Sequence, residues 1–547
     1  MAAQANRSLR RASALSAPGQ ASLPRPTPTA EIALADELRE TFGYQDEIVP
    51  TERRGEVLNH AVDFLFKRAI SVFDDVSPEG LLEGLVHANE VLISTSEHAR
   101  TVMPTRLATY PAAASRVREQ MLDGNQAGLS CRFLIEYAAA IPPIGNRPWS
   151  TARLDEAMGS IAVMLGWADL SDAVRRRLSN VDLLIRGDGR LRLLEADRYD
   201  QGRGAFFSQY VEGQKRSASD RWKKMFEKPD REGELEPGRI NQLMATEAGV
   251  TLVELGELLE AANLLARERE EDVVALPREA AQEALAEILD WDPELVPAPI
   301  DYLSISARRD FLSPPNAKDA DTFPWLYARR WSYNRRPFLL RHTDADEELL
   351  WGRRQVVACM HILFGQIEAG HYQALAETEE LRSELGRQAK ARGAAFEQEA
   401  LKVFLEAGLR ARRGIEGLGG DRLRRANGES LGNIDVLAAD LSRKVLWAVE
   451  CKALLGGMSS VEIAREMGEH FSSDGAPTTS KHRERVAWLV ERREAACELL
   501  ECACDSDWEV RGLFVTTREV MAPHIDDLAF ETVSIEALPD LLRANRG

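Results

Sequence analysis

Residues 432–453 read GNIDVLAADLSRKVLWAVECKA, and this stretch predicts the structure at the centre of the C-terminal part of the chain. Two runs rich in strand-forming residues flank a polar turn at 441–444, which predicts a β-hairpin. With the turn at its centre, Asp435 lies directly opposite Glu450. Lys452 follows Glu450 on the same face, because side chains along a strand alternate with a period of two. The other face is predicted to point into a core through Ile434, Val436, Trp447, Val449 and Cys451.

Two carboxylates and an ammonium group at one point on a sheet indicate a site that hydrolyses phosphodiesters. That reaction uses a divalent cation to acidify a water molecule and to neutralise developing charge, and hard cations such as Mg²⁺ take oxygen ligands. Asp435 and Glu450 can supply the oxygen atoms, while Lys452 can orient the attacking water or stabilise charge on the phosphate. The alternative is a solvated cluster of ion pairs at the end of a sheet, which adds little to stability.

At this point the chain resembles the PD-(D/E)XK nucleases of the restriction-endonuclease-like superfamily. The motif is written here as Asp435 followed by Glu450, Cys451 and Lys452, with Ile434 in the place of the proline. The resemblance implies that Asp435, Glu450 and Lys452 are catalytic. It also implies a bound Mg²⁺, or Mn²⁺, with Asp435, Glu450 and Cys451 as its ligands.

An amphipathic helix before the motif extends the resemblance. Gly393, Phe396 and Glu397 match the pattern Gly-x-x-Phe-Glu that often marks this helix in the superfamily. The resemblance makes Glu397 a fourth catalytic residue, with Glu399 as the alternative helix carboxylate. The elements predicted over roughly residues 385–530 follow the αβββαβ order of the superfamily core: this helix, a strand at 409–415, the hairpin, helices at 460–471 and 481–502, and a strand at 509–517.

The charge of the chain limits how it can bind nucleic acid. The 88 acidic and 69 basic residues leave a net charge of −19, which argues against a protein that coats a polyanion with its whole surface. Binding of DNA, or of RNA as the alternative, must then be local. The strongest basic patch lies just before the hairpin and is predicted either to track phosphates or to be an ordinary surface loop. Its members are Arg410, Arg412, Arg413, Arg422, Arg424 and Arg425.

A second basic run lies at 323–341 and reads FPWLYARRWSYNRRPFLLR. Aromatic side chains interleaved with arginines can stack on the bases of a single strand and hold its phosphates. The same composition is also typical of a twisted hairpin that buries its aromatic side chains. Both interpretations stay open on the sequence alone.

The chain is long enough for about two to four domains, and we predict a multidomain α+β protein. A disordered tail at 1–30 precedes a mainly α-helical region with β-hairpins at 31–385, made of one or two subdomains. The C-terminal α/β domain of the restriction-endonuclease-like type then occupies 386–547. The six cysteines lack the density of a disulfide framework, and no apolar run is long enough to span a membrane, which predicts a cytoplasmic protein without membrane contact.

These patterns together predict a cytoplasmic, metal-dependent nuclease that acts on DNA, in prokaryotic defence or restriction. The alternative is a binding or scaffold protein that keeps a non-catalytic nuclease-like domain for interaction. Homo-oligomers and other subunits of a defence system are the expected protein partners.

Overall fold

The computed structural model describes residues 28–43, 46–109, 114–194, 198–199, 201–202, 206, 237–314, 321–326, 329–342, 346–454, 456–457, 459–473, 475–503 and 507–544. The chain divides into two compact units. The N-terminal unit comprises residues 1–171, 182–192 and 236–385, and the C-terminal unit comprises 172–181, 193–235 and 386–547. Residues 1–27 of the predicted tail lie outside the described residues, and the last three residues of that tail belong to the first helix.

The first half of the N-terminal unit is mainly helical, as predicted. A small sheet in the order β1-β2-β3 accompanies the helices, with β1 antiparallel to β2. The elements are α1 Pro28–Phe42, β1 Glu47–Ile48, α2 Arg54–Ser71, α3 Leu81–Thr109, α4 Ala114–Ala140, α5 Thr151–Arg175, β2 Leu183–Ile185 and β3 Leu191–Leu193.

The second half of this unit is built on a four-stranded sheet in the order β4-β7-β6-β5. Helix α7 starts at a capping box, in which Thr251 and Glu254 satisfy each other's backbone N–H groups. The indole of Trp351 is fully buried against this helix and donates to the carbonyl of Ala262 at 3.2 Å. The elements are α6 Pro237–Ala248, α7 Leu252–Glu268, β4 Val273–Pro277, α8 Arg278–Leu289, α9 Pro297–Tyr302, β5 Ser304–Ser306, β6 Phe338–His342, β7 Glu347–Gly352 and α10 Arg353–Ala369.

A 28-residue helix, α11 Glu379–Glu406, leads into the C-terminal unit. That unit is organised around a five-stranded sheet in the order β14-β13-β12-β11-β8. Strands β8, β11 and β12 pair antiparallel, and β12, β13 and β14 pair parallel. The elements after α11 are β8 Arg410–Ile415, β9 Gly417–Leu418, β10 Asp421–Arg422, β11 Ile434–Asp440, β12 Val445–Lys452, α12 Ser460–Glu466, α13 Pro477–Glu491, α14 Arg493–Leu499, β13 Glu509–Thr516, α15 Ala522–Ile525, β14 Glu531–Ser534 and α16 Leu538–Ala544.

The predicted hairpin and its register are confirmed. Val436 pairs with Val449 and Ala438 pairs with Trp447, which is the register that sets Asp435 against Glu450. The turn closes because the carboxylate of Asp440 accepts the backbone N–H groups of the next turn residues, at 3.0 and 3.3 Å. The local sequence alone therefore determines which residues meet at the open end of the hairpin.

Both faces of the hairpin are covered, which explains why β11 is buried along its whole length. One face packs against Phe396 and Phe404 of α11, and the other packs against Trp488 and Leu489 of α13. Burial of each large apolar side chain contributes about 1.5–3 kcal/mol. One expectation was wrong: Ile434 belongs to the α13 side of the sheet, where it pairs with Ile415, and not to the side of its predicted neighbours.

The described residues include neither a membrane-spanning helix nor a disulfide. Among the described residues, each helix is too short or too polar to traverse a lipid bilayer. The five cysteines that the structure describes are free thiols: Cys131, Cys359, Cys451, Cys497 and Cys502.

Candidate functional site

Asp435 lies at the second position of β11, where the hairpin opens. Its side chain is buried, and its Oδ2 atom accepts the backbone N–H of Cys451 at 2.7 Å. This bond joins the carboxylate to the residue that follows Glu450. Burial, with a further contribution from the negative charge of Glu450, raises the pKa of Asp435 to about 7.

Glu450 is buried on the adjacent strand and has two cationic partners. The Nζ atom of Lys452 lies 2.8 Å from Oε1, and the guanidinium of Arg485 donates to Oε2. Burial alone would raise the pKa of Glu450, but the positive charges of Lys452 and Arg485 outweigh it and lower the pKa. The pKa values of the two carboxyl groups therefore shift in opposite directions. Near neutral pH, Asp435 is partly protonated while Glu450 stays ionised.

Glu397 on α11 belongs to the same electrostatic cluster. Partial burial raises the pKa of Glu397, an effect that Arg413 opposes and Glu450 reinforces. Its charge also acts on Asp435. The alternative helix carboxylate, Glu399, is exposed. Between the two candidates on this helix, the structure therefore brings Glu397 to the hairpin.

Cys451 lies between Glu450 and Lys452 of the motif. Its side chain packs into the apolar cluster on the α11 side of the sheet, opposite to Glu450. Burial raises the pKa of the thiol well above its ordinary value, so the sulfur stays protonated and is a poor ligand for a hard cation. Any contribution of Cys451 to a metal site must come from its backbone carbonyl oxygen.

Two residues of helix α13 were not anticipated from the sequence. Arg485 is buried against Glu450, and His482 is fully buried with its Nδ1 atom 4.0 Å from the same carboxylate. Burial lowers the pKa of His482 to about 4, so its imidazole is neutral. Gly512 on β13 makes room for this ring, because a Cβ atom there would come within 3.1 Å of His482 Nε2 and 2.4 Å of Phe530.

A cation at this site would require ligands from the side chains of the cluster. Among the described residues, no three side chains of His, Cys, Asp or Glu form a group that could hold a metal ion. Mg²⁺ is nevertheless commonly bound through one or two carboxylates, with water and substrate phosphates completing its shell. Asp435 and Glu450 are two carboxylates at one end of one hairpin, and both oxygen atoms of Glu450 already have cationic partners.

The six arginines of the predicted basic patch do not share one surface. On the edge strand β8, Arg410 donates to the carbonyl of Leu500 at the end of α14, whereas Arg413 donates to the carbonyl of Ala394 on α11. Arg425 is half-buried and pairs with two carboxylates, Glu484 at 2.6 Å and Glu429 at 2.5 Å. The exposed members of the patch are Arg410, Arg412, Arg413, Arg422 and Arg424.

The aromatic and arginine run at 323–341 packs inside the N-terminal unit. Arg329 and Glu136 are both buried and form an ion pair, with Nη2 2.9 Å from Oε1. Tyr333 is fully buried, and the guanidinium of Arg336 stacks on Trp331 at 4.2 Å. These contacts favour packing over a clamp for a single strand of nucleic acid. Residues 327 and 328 lie outside the described residues.

A family model described as anti-phage protein Upx-like matches residues 51–501, which is well over half of the chain and includes residues of both units. No curated protein and no solved structure matches the chain.

Proposed function

The chain belongs to the Upx-like family of anti-phage proteins, and we propose that it acts in defence as a metal-dependent nuclease. DNA is the proposed substrate, with RNA as the alternative. Family membership supports the defence role. The nuclease activity rests on the hairpin residues and on the order of elements around them.

One observation carries the proposal: two buried carboxylates and a lysine meet at the open end of the β11–β12 hairpin. Each carboxylate is buried and held by a neighbouring donor. The N–H group of Cys451 holds Asp435, and Lys452 lies 2.8 Å from Glu450. Helix, antiparallel strands, helices and a parallel strand follow one another in the αβββαβ order expected of PD-(D/E)XK nucleases.

Each residue has a separate part in the proposed reaction. A bound divalent cation would supply a lowered pKa for its water and a positive charge beside the scissile phosphate. Asp435 and Glu450 would hold it, with Glu397 close enough to add negative charge. Lys452 would orient the attacking water or stabilise the charge that develops on the phosphate. Arg485 positions the Glu450 carboxylate from the opposite side.

The alternative function is a scaffold that keeps this fold without catalysis. The pairing of Glu450 favours it, since Lys452 and Arg485 neutralise this carboxylate without any metal ion. A cation would have to compete with Arg485 for one oxygen atom. The two functions therefore differ in one measurable property, the binding of Mg²⁺ or Mn²⁺ at Asp435 and Glu450.

A combined binding and cleavage experiment tests the proposal. The full chain is titrated with Mn²⁺ by calorimetry, and it is incubated with duplex DNA, single-stranded DNA and RNA in Mg²⁺, Mn²⁺ or EDTA. We expect saturable metal binding and cleavage that EDTA abolishes. An Asp435→Asn, Glu450→Gln variant should lose both. Absence of metal binding and of cleavage in the parent chain would leave the scaffold as the better proposal.

A further inference from the structure

A pocket in the N-terminal unit is lined by residues that take no part in the candidate nuclease site. It is a partly open cleft with about 350 Å³ of empty space, a volume that includes open solvent. Three leucines form part of its wall. The polar side chains that line it are Tyr302, Arg330, Arg335, Arg336, Tyr372 and Glu377.

Two of the pocket arginines are held in fixed orientations. The guanidinium of Arg336 is buried, donates to the carbonyl of Ser304 at 3.3 Å and stacks on Trp331. That of Arg335 lies over the ring of Tyr372 at 4.9 Å. Such stacking removes much of the freedom that an arginine would otherwise lose on binding a ligand. The pocket is therefore organised before any ligand arrives.

Arg335 is also incompletely satisfied. Its Nε and Nη1 atoms are buried and have no hydrogen-bond partner among the described residues. An arginine cannot relieve this by losing its proton, and buried donors without acceptors are rare in folded proteins. A ligand that carries several acceptor oxygen atoms would remove the deficit.

Charge identifies the class of ligand. Three guanidinium groups line the pocket against one carboxylate, Glu377, which lies 3.7 Å from Arg336, so the lining side chains carry two positive charges in excess. A phosphomonoester is close to a dianion at neutral pH, and its oxygen atoms match the planar fork of arginine. We propose that this pocket binds the phosphomonoester group of a small molecule.

Calorimetric titration of the full chain in EDTA tests the proposal without metal at the candidate nuclease site. The probes are inorganic phosphate, adenosine 5′-monophosphate and adenosine. We expect saturable binding of both phosphate probes and none of adenosine. Tighter binding of the nucleotide would support a nucleotide as the source of the phosphate, and equal affinities would support recognition of the phosphate group alone. Absence of saturable binding of either phosphate probe would overturn the proposal.

Three variants assign the binding to the pocket. Arg335→Gln should weaken phosphate binding about tenfold or more, the change expected when one charge-assisted contact is lost. Arg309→Gln is the matched control, because Arg309 is an exposed arginine of the same unit outside the pocket. Equal weakening in both variants would overturn the proposal. If Arg335→Gln does not fold, Glu377→Gln decides: loss of this half-exposed negative charge should tighten binding several-fold, and unchanged or weaker binding would overturn the assignment.

Discussion

Arg485 on helix α13 forms a buried ion pair with Glu450 on strand β12. The same guanidinium donates from Nε to the carbonyl of Leu431 at 2.8 Å. Leu431 lies three residues before Ile434, the first residue of the strand that carries Asp435. Arg485 therefore fixes both strands at the open end of the hairpin, and it sets the orientation of the carboxylate on which the proposed metal site depends.

Removal of Arg485 should destabilise the C-terminal unit. A buried carboxylate that loses its partner costs about 3–5 kcal/mol, and we expect the lower end because Lys452 still contacts Glu450. Arg485→Met should therefore reduce the free energy of unfolding by about 3 kcal/mol, measured by chemical denaturation. Arg483→Met is the matched control, because this arginine is exposed on the same helix.

A double variant separates the ion pair from simple loss of packing. Adding Glu450→Gln to Arg485→Met removes the charge that was left buried, and it should restore part of the lost stability. If the two changes were additive, the pair would contribute no coupling and Arg485 would act only through its apolar stem.

The stability of the unit should also depend on the protonation of Asp435. Burial raises its pKa to about 7, far above the value of an unfolded aspartate, so the folded state holds this proton more tightly. The resulting stabilisation is complete below pH 4 or so and is lost as the pH rises to about 7. Asp435→Asn should therefore stabilise the protein at pH 8, by about 1 kcal/mol or more, but not at pH 4.

Thermal unfolding of parent and variant at several pH values measures this difference. Asp290→Asn serves as a control, since Asp290 is exposed and has a left-handed backbone that Asn tolerates. A constant difference between Asp435→Asn and the parent from pH 4 to 8 would contradict the raised pKa. Bound Mn²⁺ should reverse the effect, because the metal favours the ionised carboxylate.

The hairpin could be predicted from the sequence because its determinants are local. Alternation along 434–452 and the Asp440 turn fix the register, and the register brings Asp435 to Glu450. Arg485 could not be identified in the same way, since its partner lies 35 positions earlier in the chain. A signal was nevertheless present: His482, Arg485 and Leu489 recur at helical spacing, which marks an unusual charge on an apolar face.

The basic patch, in contrast, could not be predicted correctly from the sequence. Six arginines close in sequence suggested one surface, but alternation along β8 sends Arg410 and Arg413 to opposite sides of an edge strand. Arg425 is paired with carboxylates, one of which is distant in sequence. Density of charge along a chain therefore predicts a binding surface only when the local structure keeps the side chains on one side and their partners are known.

Replacement of Lys452 tests catalysis independently of the fold. Lys452→Ala should lower the rate of DNA cleavage in Mg²⁺ by roughly 10² or more, the usual effect of removing one electrostatic stabiliser. Lys402→Ala is the control, because Lys402 is exposed on α11 and 72% of its side chain is accessible. Circular dichroism should show the same fold in both variants. Cleavage at the parental rate by Lys452→Ala would assign the activity to other residues.

Neutralisation of Arg422 and Arg424 tests where DNA is held. Both side chains are exposed close to the hairpin, whereas Arg425 beside them is already neutralised by Glu484 and Glu429. In a protein with a net charge of −19, a polyanion can bind only where basic residues are concentrated. The double change to Gln should therefore weaken DNA binding for all sequences, and it should reduce the slope of log affinity against log salt by about two, one for each lost phosphate contact.

Binding isotherms at several salt concentrations provide the measurement for this pair. Arg309→Gln in the N-terminal unit is the control and should leave the slope unchanged. Metal binding at Asp435 and Glu450 should be the same in all variants, because neither arginine contacts those carboxylates in the described structure. An unchanged slope in the double variant would show that the loop is ordinary surface, and Arg410, Arg412 and Arg413 on β8 would then be the remaining candidates for phosphate contacts.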